Sequence, residues 1–333
     1  MHLKPILGIT LGEAAGIGPE LIAKLCAEKR LQKYCRPVII GDMRVLEKGK
    51  EFAGVDFPAV SVKSVADIDW EGPIAVLDQK NLDPASVEMG KVNKDSGRVT
   101  GDTLVATLKL LEQKAIAGMV FAPLNKQAFI LGGYDYEDEH ALFREFFQWD
   151  KPAGIMNVLD TLWTFRVTCH IPICEVAGSI NRENVLSAIR LADETLRLAG
   201  YEKPRVAVAA LNPHAGEGGL CGREEVDIIR PAIEAARQDG IEALGPFSAD
   251  TIFIAAFKGD YDAVLTMYHD QGQIATKLHG FDKGVSVAAG LPYPITTPEH
   301  GTAFDIAGKG VAKTDATELA VMLAAKMAGW RED

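Results

Sequence analysis

A chain of 333 residues with 47% hydrophobic and 24% charged residues has the length of about two domains and an ordinary globular composition, which excludes a disulfide-stapled peptide and a disordered chain. Acidic residues outnumber basic ones, 46 to 35, for a formal charge of −11, and no Lys/Arg cluster offers a landing strip to a phosphate backbone, so nucleic-acid binding is excluded. No apolar run approaches a membrane span, and Ile6 to Leu11 is followed by Glu13 and a glycine-rich turn instead of a cleavage site. With five cysteines, an odd number without a CxxC pair, the expectation is a cytoplasmic protein that touches no membrane.

In chain order, Ile6 to Thr10 predicts a first strand. Behind it, Leu11-Gly-Glu-Ala-Ala-Gly-Ile-Gly-Pro-Glu20 opens a helix with Pro19 in its first turn, a combination that presents free N–H groups to an anion. Gly12, Gly16 and Gly18 miss the dinucleotide fingerprint and no Walker lysine follows, so a plain strand-to-helix connection is an equal reading. Pro37 to Gly41, Ile74 to Leu77, Met119 to Ala122, Val206 to Ala210 and Ala263 to Met267 are further strands. Gly101 to Ala117 and Val185 to Leu198 carry apolar residues at a helical period. The alternation predicts an α/β fold with largely parallel strands, and composition marks no linker.

Three histidines follow strand-like runs, where α/β folds collect ligands: His170 in Thr168-Cys-His-Ile-Pro172, His214 in Asn212-Pro-His-Ala-Gly-Glu-Gly218 and His269 in Met267-Tyr-His-Asp-Gln-Gly272. Their spacing makes no local metal motif, and unrelated strand-end histidines are one reading. The other is a shared divalent cation, since His214 and His269 sit in Gly, Asn, Asp and Gln turns, and imidazole with oxygen co-ligands suits zinc, manganese or magnesium-like ions.

Together with Gly16-Ile-Gly-Pro-Glu20, Ala122-Pro-Leu-Asn-Lys126, Ala249-Asp-Thr-Ile-Phe253 and His300-Gly-Thr-Ala-Phe-Asp-Ile-Ala-Gly308, these segments make nearly the whole chain resemble the 4-hydroxythreonine-4-phosphate dehydrogenase family of vitamin B6 biosynthesis. The resemblance implies a two-domain fold similar to isocitrate and isopropylmalate dehydrogenases, with the active site in the interdomain cleft and a homodimer. On that plan the domains are residues 1–127 plus 303–333, and residues 128–302. It further implies oxidation of a β-hydroxy acid with NAD or NADP, with decarboxylation to follow. One divalent metal ion, zinc first and magnesium, manganese or cobalt after it, would sit on His170, His214 and His269. Catalytic roles fall on Lys277 and Asp250, and cofactor contacts on Gly290, Leu291, Pro292 and His300.

The substrate positions depart from the family. Its Gly-His-Thr-Glu element aligns with Asp138-Glu-His-Ala141, which puts Glu139 where the histidine would be and His140 one place on. The family's substrate-binding asparagine and arginine fall on Ser286 and Ile295. A carboxylate gained and a bidentate cation lost hold a phosphate dianion poorly. The family includes a dehydrogenase of terephthalate-derived cis-dihydrodiols, so a non-phosphorylated substrate such as a carboxylated cis-dihydrodiol is an alternative. Acyl transfer of the phosphate acetyltransferase kind, or a retired metabolite-binding protein, are alternatives of another class. His2, His279, Trp149 and Trp163 read as structural.

Overall fold

The computed structural model describes residues 3–280 and 283–332, and the chain forms two compact units, residues 1–150 with 291–333 and residues 151–290. These boundaries differ from the ones expected at 127/128 and 302/303. Residues 128–150 stay with the first unit because their helices pack on it. Gly97 of the helix Lys94–Glu112 lets the Ala128 carbonyl approach so closely that a Cβ there would lie 1.9 Å from its oxygen, and the Phe121 and Phe143 rings meet edge to face at 5.7 Å. Residues 291–302 stay because they supply a strand to its sheet.

In the first unit the strands are β1 (Ile6–Thr10), β2 (Arg36–Gly41), β3 (Ala59–Val62), β4 (Ile74–Asp78), β5 (Gly118–Phe121) and, from the far end of the chain, β12 (Ile295–Pro298), in the order β3-β4-β2-β1-β5-β12. Every pairing is parallel. A parallel sheet is covered on both faces, which is why β1 and β2 read as continuous apolar runs and are buried almost throughout. The chain leaves β1 toward β2 on one side and returns as β5 on the other, so the loops after β1 and β5 flank a switch point.

The second unit holds β6 (Gly154–Leu159), β7 (Leu162–Arg166), β8 (Arg205–Ala209), β9 (Glu242–Phe247), β10 (Ala263–Thr266) and β11 (Val285–Ala289), in the order β11-β6-β7-β10-β8-β9. β6 pairs antiparallel with β11 and β7. β10 lies between β7 and β8, parallel to both. Among the described residues, no helix is long and apolar enough to cross a membrane, and all five cysteines are free thiols.

Candidate active site

The three histidines stand just beyond the carboxyl ends of three adjacent parallel strands, His170 after β7, His269 after β10 and His214 after β8. Hydrogen bonds between the loops fix the ends. Thr168 Oγ1 donates to the Met267 carbonyl (2.8 Å), tying the approach of His170 to that of His269. Gln271 accepts from the Met267 amide (2.7 Å) and donates to the Ala210 carbonyl (2.8 Å), tying His269 to the β8 end. The fully buried Glu225 carboxylate takes the amides of Leu211 (2.9 Å) and Asn212 (2.7 Å), holding the turn that leads into His214.

The His170 and His269 rings come together, centroids 5.5 Å apart. His269 Nδ1 meets Asp270 Oδ1 at 2.7 Å and His214 Nδ1 meets Glu217 Oε2 at 3.0 Å. A carboxylate on one ring nitrogen fixes the tautomer and leaves Nε2 as the donor atom, the second-sphere arrangement of metal-binding imidazoles. The Glu217 carboxylate also raises the His214 pKa, with Asp250 adding to the effect. His214 stands on an exposed loop in which residues 214–218 all have positive φ. Its ring turns to Glu217, and among the described residues no three His, Cys, Asp or Glu side chains enclose a single point. The His170 and His269 rings thus come together, while the His214 ring is engaged by Glu217.

His214, Asp250 and Asp270 line a common cleft of about 590 Å³. Lys277 is exposed on the helix His269–Gly280, two turns beyond His269. Ser286 lies half-buried on β11 opposite Asn157, whose Nδ2 donates to its Oγ at 3.1 Å. Ile295 is not at a surface: it is 0% exposed in β12, beside Met119, so the side chain offers a ligand nothing, which corrects its expected place among the substrate contacts.

In the first unit, the loops after β1 and β5 meet at the switch point, where the Glu13 amide donates to the Pro123 carbonyl at 2.9 Å. Gly12 has φ +67° and a Cβ would lie 2.5 Å from that same carbonyl oxygen, so only glycine passes. Asn125 caps the helix Lys126–Leu131 through its side chain, a structural use of the Asn-Lys segment. Glu139 opens the helix Glu139–Phe146, and burial raises its pKa. Burial lowers that of His140, whose Nε2 is enclosed without a partner. Of the expected cofactor residues, Gly290 has φ +79° against the Pro152 carbonyl, Leu291 is buried and Pro292 exposed. His300 Nδ1 lies 3.2 Å from the Gly301 carbonyl oxygen, and its Nε2 is enclosed without a partner. His2 lies outside the described residues; His279 stacks on Phe257.

Glu13 is fully buried. Its Oε1 accepts from Ser96 Oγ while Oε2 has no partner, and burial raises its pKa. A folded pKa above the unfolded one gives stability that is present below the unfolded carboxylate range and lost as pH rises through the folded value. Glu13→Gln removes that loss. Its Tm is expected to match the parent near pH 4.5 and to exceed it by a few °C at pH 8, as follows from relief of about 1 kcal/mol. Thermal melts across that range test it; a lower Tm for the variant at pH 8 would contradict the assignment.

Arg166, Asn157, Gln273, Thr168, Gln271 and Glu225 were not singled out by sequence reasoning. The signal for Gln273 was available, one helical turn beyond His269; Glu225 and Asn157 reach the site only through tertiary pairing.

Ligand-type side chains gathered on the carboxyl edge of parallel strands, with carboxylates behind the imidazoles, make this an enzyme of the α/β class. Residues 33–324 match the family described as pyridoxal phosphate biosynthetic protein PdxA. A Rhizobium meliloti (strain 1021) relative, 42% identical over 98% of this chain and 94% of its own, is provisionally named 4-hydroxythreonine-4-phosphate dehydrogenase 2. One from Halalkalibacterium halodurans, 37% identical over 98% of both chains, is provisionally named D-threonate 4-phosphate dehydrogenase. The crystal structure of 4-hydroxythreonine-4-phosphate dehydrogenase from Klebsiella pneumoniae superposes with a TM-score of 0.84 at 35% identity, over 97% of this chain and 99% of that one. That of a terephthalate 1,2-cis-dihydrodiol dehydrogenase from Burkholderia xenovorans LB400 gives 0.68 at 26%, over 96% and 98%. The chain belongs to the PdxA family and is an oxidoreductase acting on a CH–OH group of a small molecule.

Proposed function

We propose that the chain is an NAD(P)-linked, divalent-metal-dependent dehydrogenase of a β-hydroxy acid that decarboxylates its product, acting as a homodimer in the cytoplasm. The observation that carries this reading is the placement of His170, His269 and His214 on the ends of β7, β10 and β8, with Asp270 and Glu217 each against a ring Nδ1. The donor set fits a zinc-like ion through Nε2 atoms. Such an ion would supply Lewis-acid chemistry at the substrate hydroxyl and charge stabilisation for decarboxylation, and a nicotinamide cofactor would supply the hydride acceptor. Lys277, on the same helix as His269, anchors the substrate carboxylate or returns a proton after decarboxylation. Asp250 shares the cleft of His214 and bears on its charge. The homodimer draws support from Ile274 and Leu278, 59% and 84% exposed on that helix, an apolar face suited to a second copy.

A second reading concerns the substrate. On the resemblance, Glu139 and Ser286 take two of the positions at which the family binds its phosphosubstrate, and a carboxylate at such a position would repel a phosphate dianion. This favours a non-phosphorylated acid, of which the relative acting on a terephthalate cis-dihydrodiol is an example. The test of both readings is NAD(P)H formation from β-hydroxy acids with and without phosphate, before and after chelation and with zinc, manganese, magnesium or cobalt restored. Metal-dependent reduction of either cofactor is expected, with 4-hydroxy-L-threonine phosphate turned over about tenfold or more less efficiently than the best non-phosphorylated acid. Efficient turnover of that phosphate would end the second reading, and no hydride transfer from any acid would end the first.

A further inference from the structure

Glu225 is fully buried at the start of the π-helical turn Glu225–Ile229, a rare geometry that recurs at functional sites. A carboxylate withdrawn from water is costly unless hydrogen bonds are brought to its oxygens. Its Oε1 accepts from the amides of Leu211 (2.9 Å) and Asn212 (2.7 Å), and its Oε2 accepts from the Asn212 side-chain Nδ2 at 3.0 Å. Asn212 Nδ2 also donates to Oε2 of Glu224 at 2.6 Å. Two consecutive carboxylates thus converge on one residue, two places before His214. All of it lies within the second unit.

The stem of the His214 loop is fixed amide by amide. The Ala210 N–H goes to the Phe247 carbonyl (2.7 Å), those of Leu211 and Asn212 go to Glu225, and Pro213 has none, its ring holding φ as well. Beyond the stem, His214, Ala215 and Glu217 take φ of 54°, 54° and 45°, a left-handed path that costs energy for any residue with a Cβ and persists only where the surroundings dictate it. The tip offers little packing to do so, since the His214 and Glu217 side chains are 70% and 54% exposed. Instead the loop closes back on the two glutamates. A Cβ on Gly216 would lie 2.5 Å from Glu225 Oε2, and one on Gly222 would lie 2.7 Å from Glu224 Oε2. The path of the chain through His214 is therefore set at its base, where Glu225 holds the stem and receives the returning strand of the loop.

We propose that Glu225 is a positioning residue: buried away from any substrate, it acts on the reaction by holding the left-handed loop that presents the His214 ring at the carboxyl edge of β8. The proposal rests on the shared-ion reading only for what His214 then does. Glu225 and His214 should accordingly behave as one unit, the first having no effect on the site once the second is removed.

Two measurements on the intact chain test it: binding of cobalt(II), followed by calorimetry and by the visible absorption of the bound ion, and hydrogen exchange of residues 211–222 in the metal-free protein. Glu225→Ala should weaken cobalt binding by about ten- to hundredfold and give the bound ion the spectrum it has in His214→Ala. Exchange over residues 211–222 should quicken by about tenfold, with the rest of the chain as in wild type. Glu225→Gln, which keeps the volume and one acceptor but turns an NH2 toward the Asn212 amide, should lose severalfold on both readouts. In the His214→Ala background neither substitution should weaken cobalt binding further. An equal loss of affinity in both backgrounds would show Glu225 to be merely structural and overturn the proposal, as would unchanged exchange over residues 211–222. Should Glu225→Ala fail to fold, the glutamine variant decides, and wild-type affinity and exchange there overturn it. A wild type that binds no cobalt defeats the shared-ion reading alone, and the exchange of residues 211–222 then decides whether Glu225 holds the loop.

Discussion

His269→Ala is expected to lower kcat/KM for metal-dependent oxidation by about 10³-fold or more, the equivalent of the several kcal/mol that a properly held ion contributes to a reacting oxygen. The residue opens the helix His269–Gly280 at the end of β10, the strand between the other two histidine-bearing strands, and its ring already lies 5.5 Å from that of His170. Asp270→Asn should cost less, about ten- to hundredfold, since it loosens the ring without deleting the donor. Two measurements separate loss of metal from loss of fold. Metal content after dialysis should fall in His269→Ala, and added zinc or manganese should raise the Tm of wild type but not of the variant. Parental turnover and metal content in His269→Ala would defeat the shared-ion reading.

Ile295→Arg, the substitution that would supply the cation expected at this position from the resemblance, should unfold the protein instead of improving it. Ile295 is fully buried in β12, paired with Met119 of β5, which is also 0% exposed. A guanidinium there has neither water nor a carboxylate, a cost of about 5 kcal/mol, which for a domain of this size corresponds to a Tm lower by roughly 10–20 °C. The variant should go largely to the insoluble fraction and melt early if recovered. A parental Tm with tighter binding of a phosphorylated probe would show that residue 295 faces a ligand after all.

Much of the fold was legible because its central strands are parallel and buried on both faces. Ile6 to Thr10 matches β1 end to end, and Ile74 to Leu77 and Ala263 to Met267 fall within one residue of β4 and β10. The β6–β7 hairpin was missed: it carries Asn157, Trp163 and Thr164 where an alternating apolar pattern is sought, and it turns at Asp160 with φ +53° and no glycine. β12 is four residues, Ile-Thr-Thr-Pro, too short to show an alternating pattern, and it lies in register beside β5. The helix Lys94–Glu112 begins seven residues before its expected start because its first two turns are mostly polar; the cap that marks it is the Asn93 side chain on the Ser96 amide. At the site, His170, His214 and His269 stand out in sequence because each follows a strand, whereas Asp270 and Glu217 are ordinary surface carboxylates until a ring nitrogen is found beside them. Ile295 misled because a motif offset gives a position in a strand, not the direction its side chain takes.

The order of the strands has a consequence for how the histidines are brought together during folding. His170 and His214 belong to β7 and β8, yet these never touch: β10, translated more than fifty residues after β8, occupies the gap between them. At about 4.8 Å per strand, a chain halted before Ala263 leaves the two earlier edges roughly 9.6 Å apart if they are held in their final places at all. The full set of imidazoles is therefore assembled by a non-local pairing, Ala263 with Trp163, of the kind that forms late. An ion held by the proposed histidine set would therefore arrive too late to template the fold and would act as a brake on unfolding, lengthening the lifetime of the finished unit without hastening its formation.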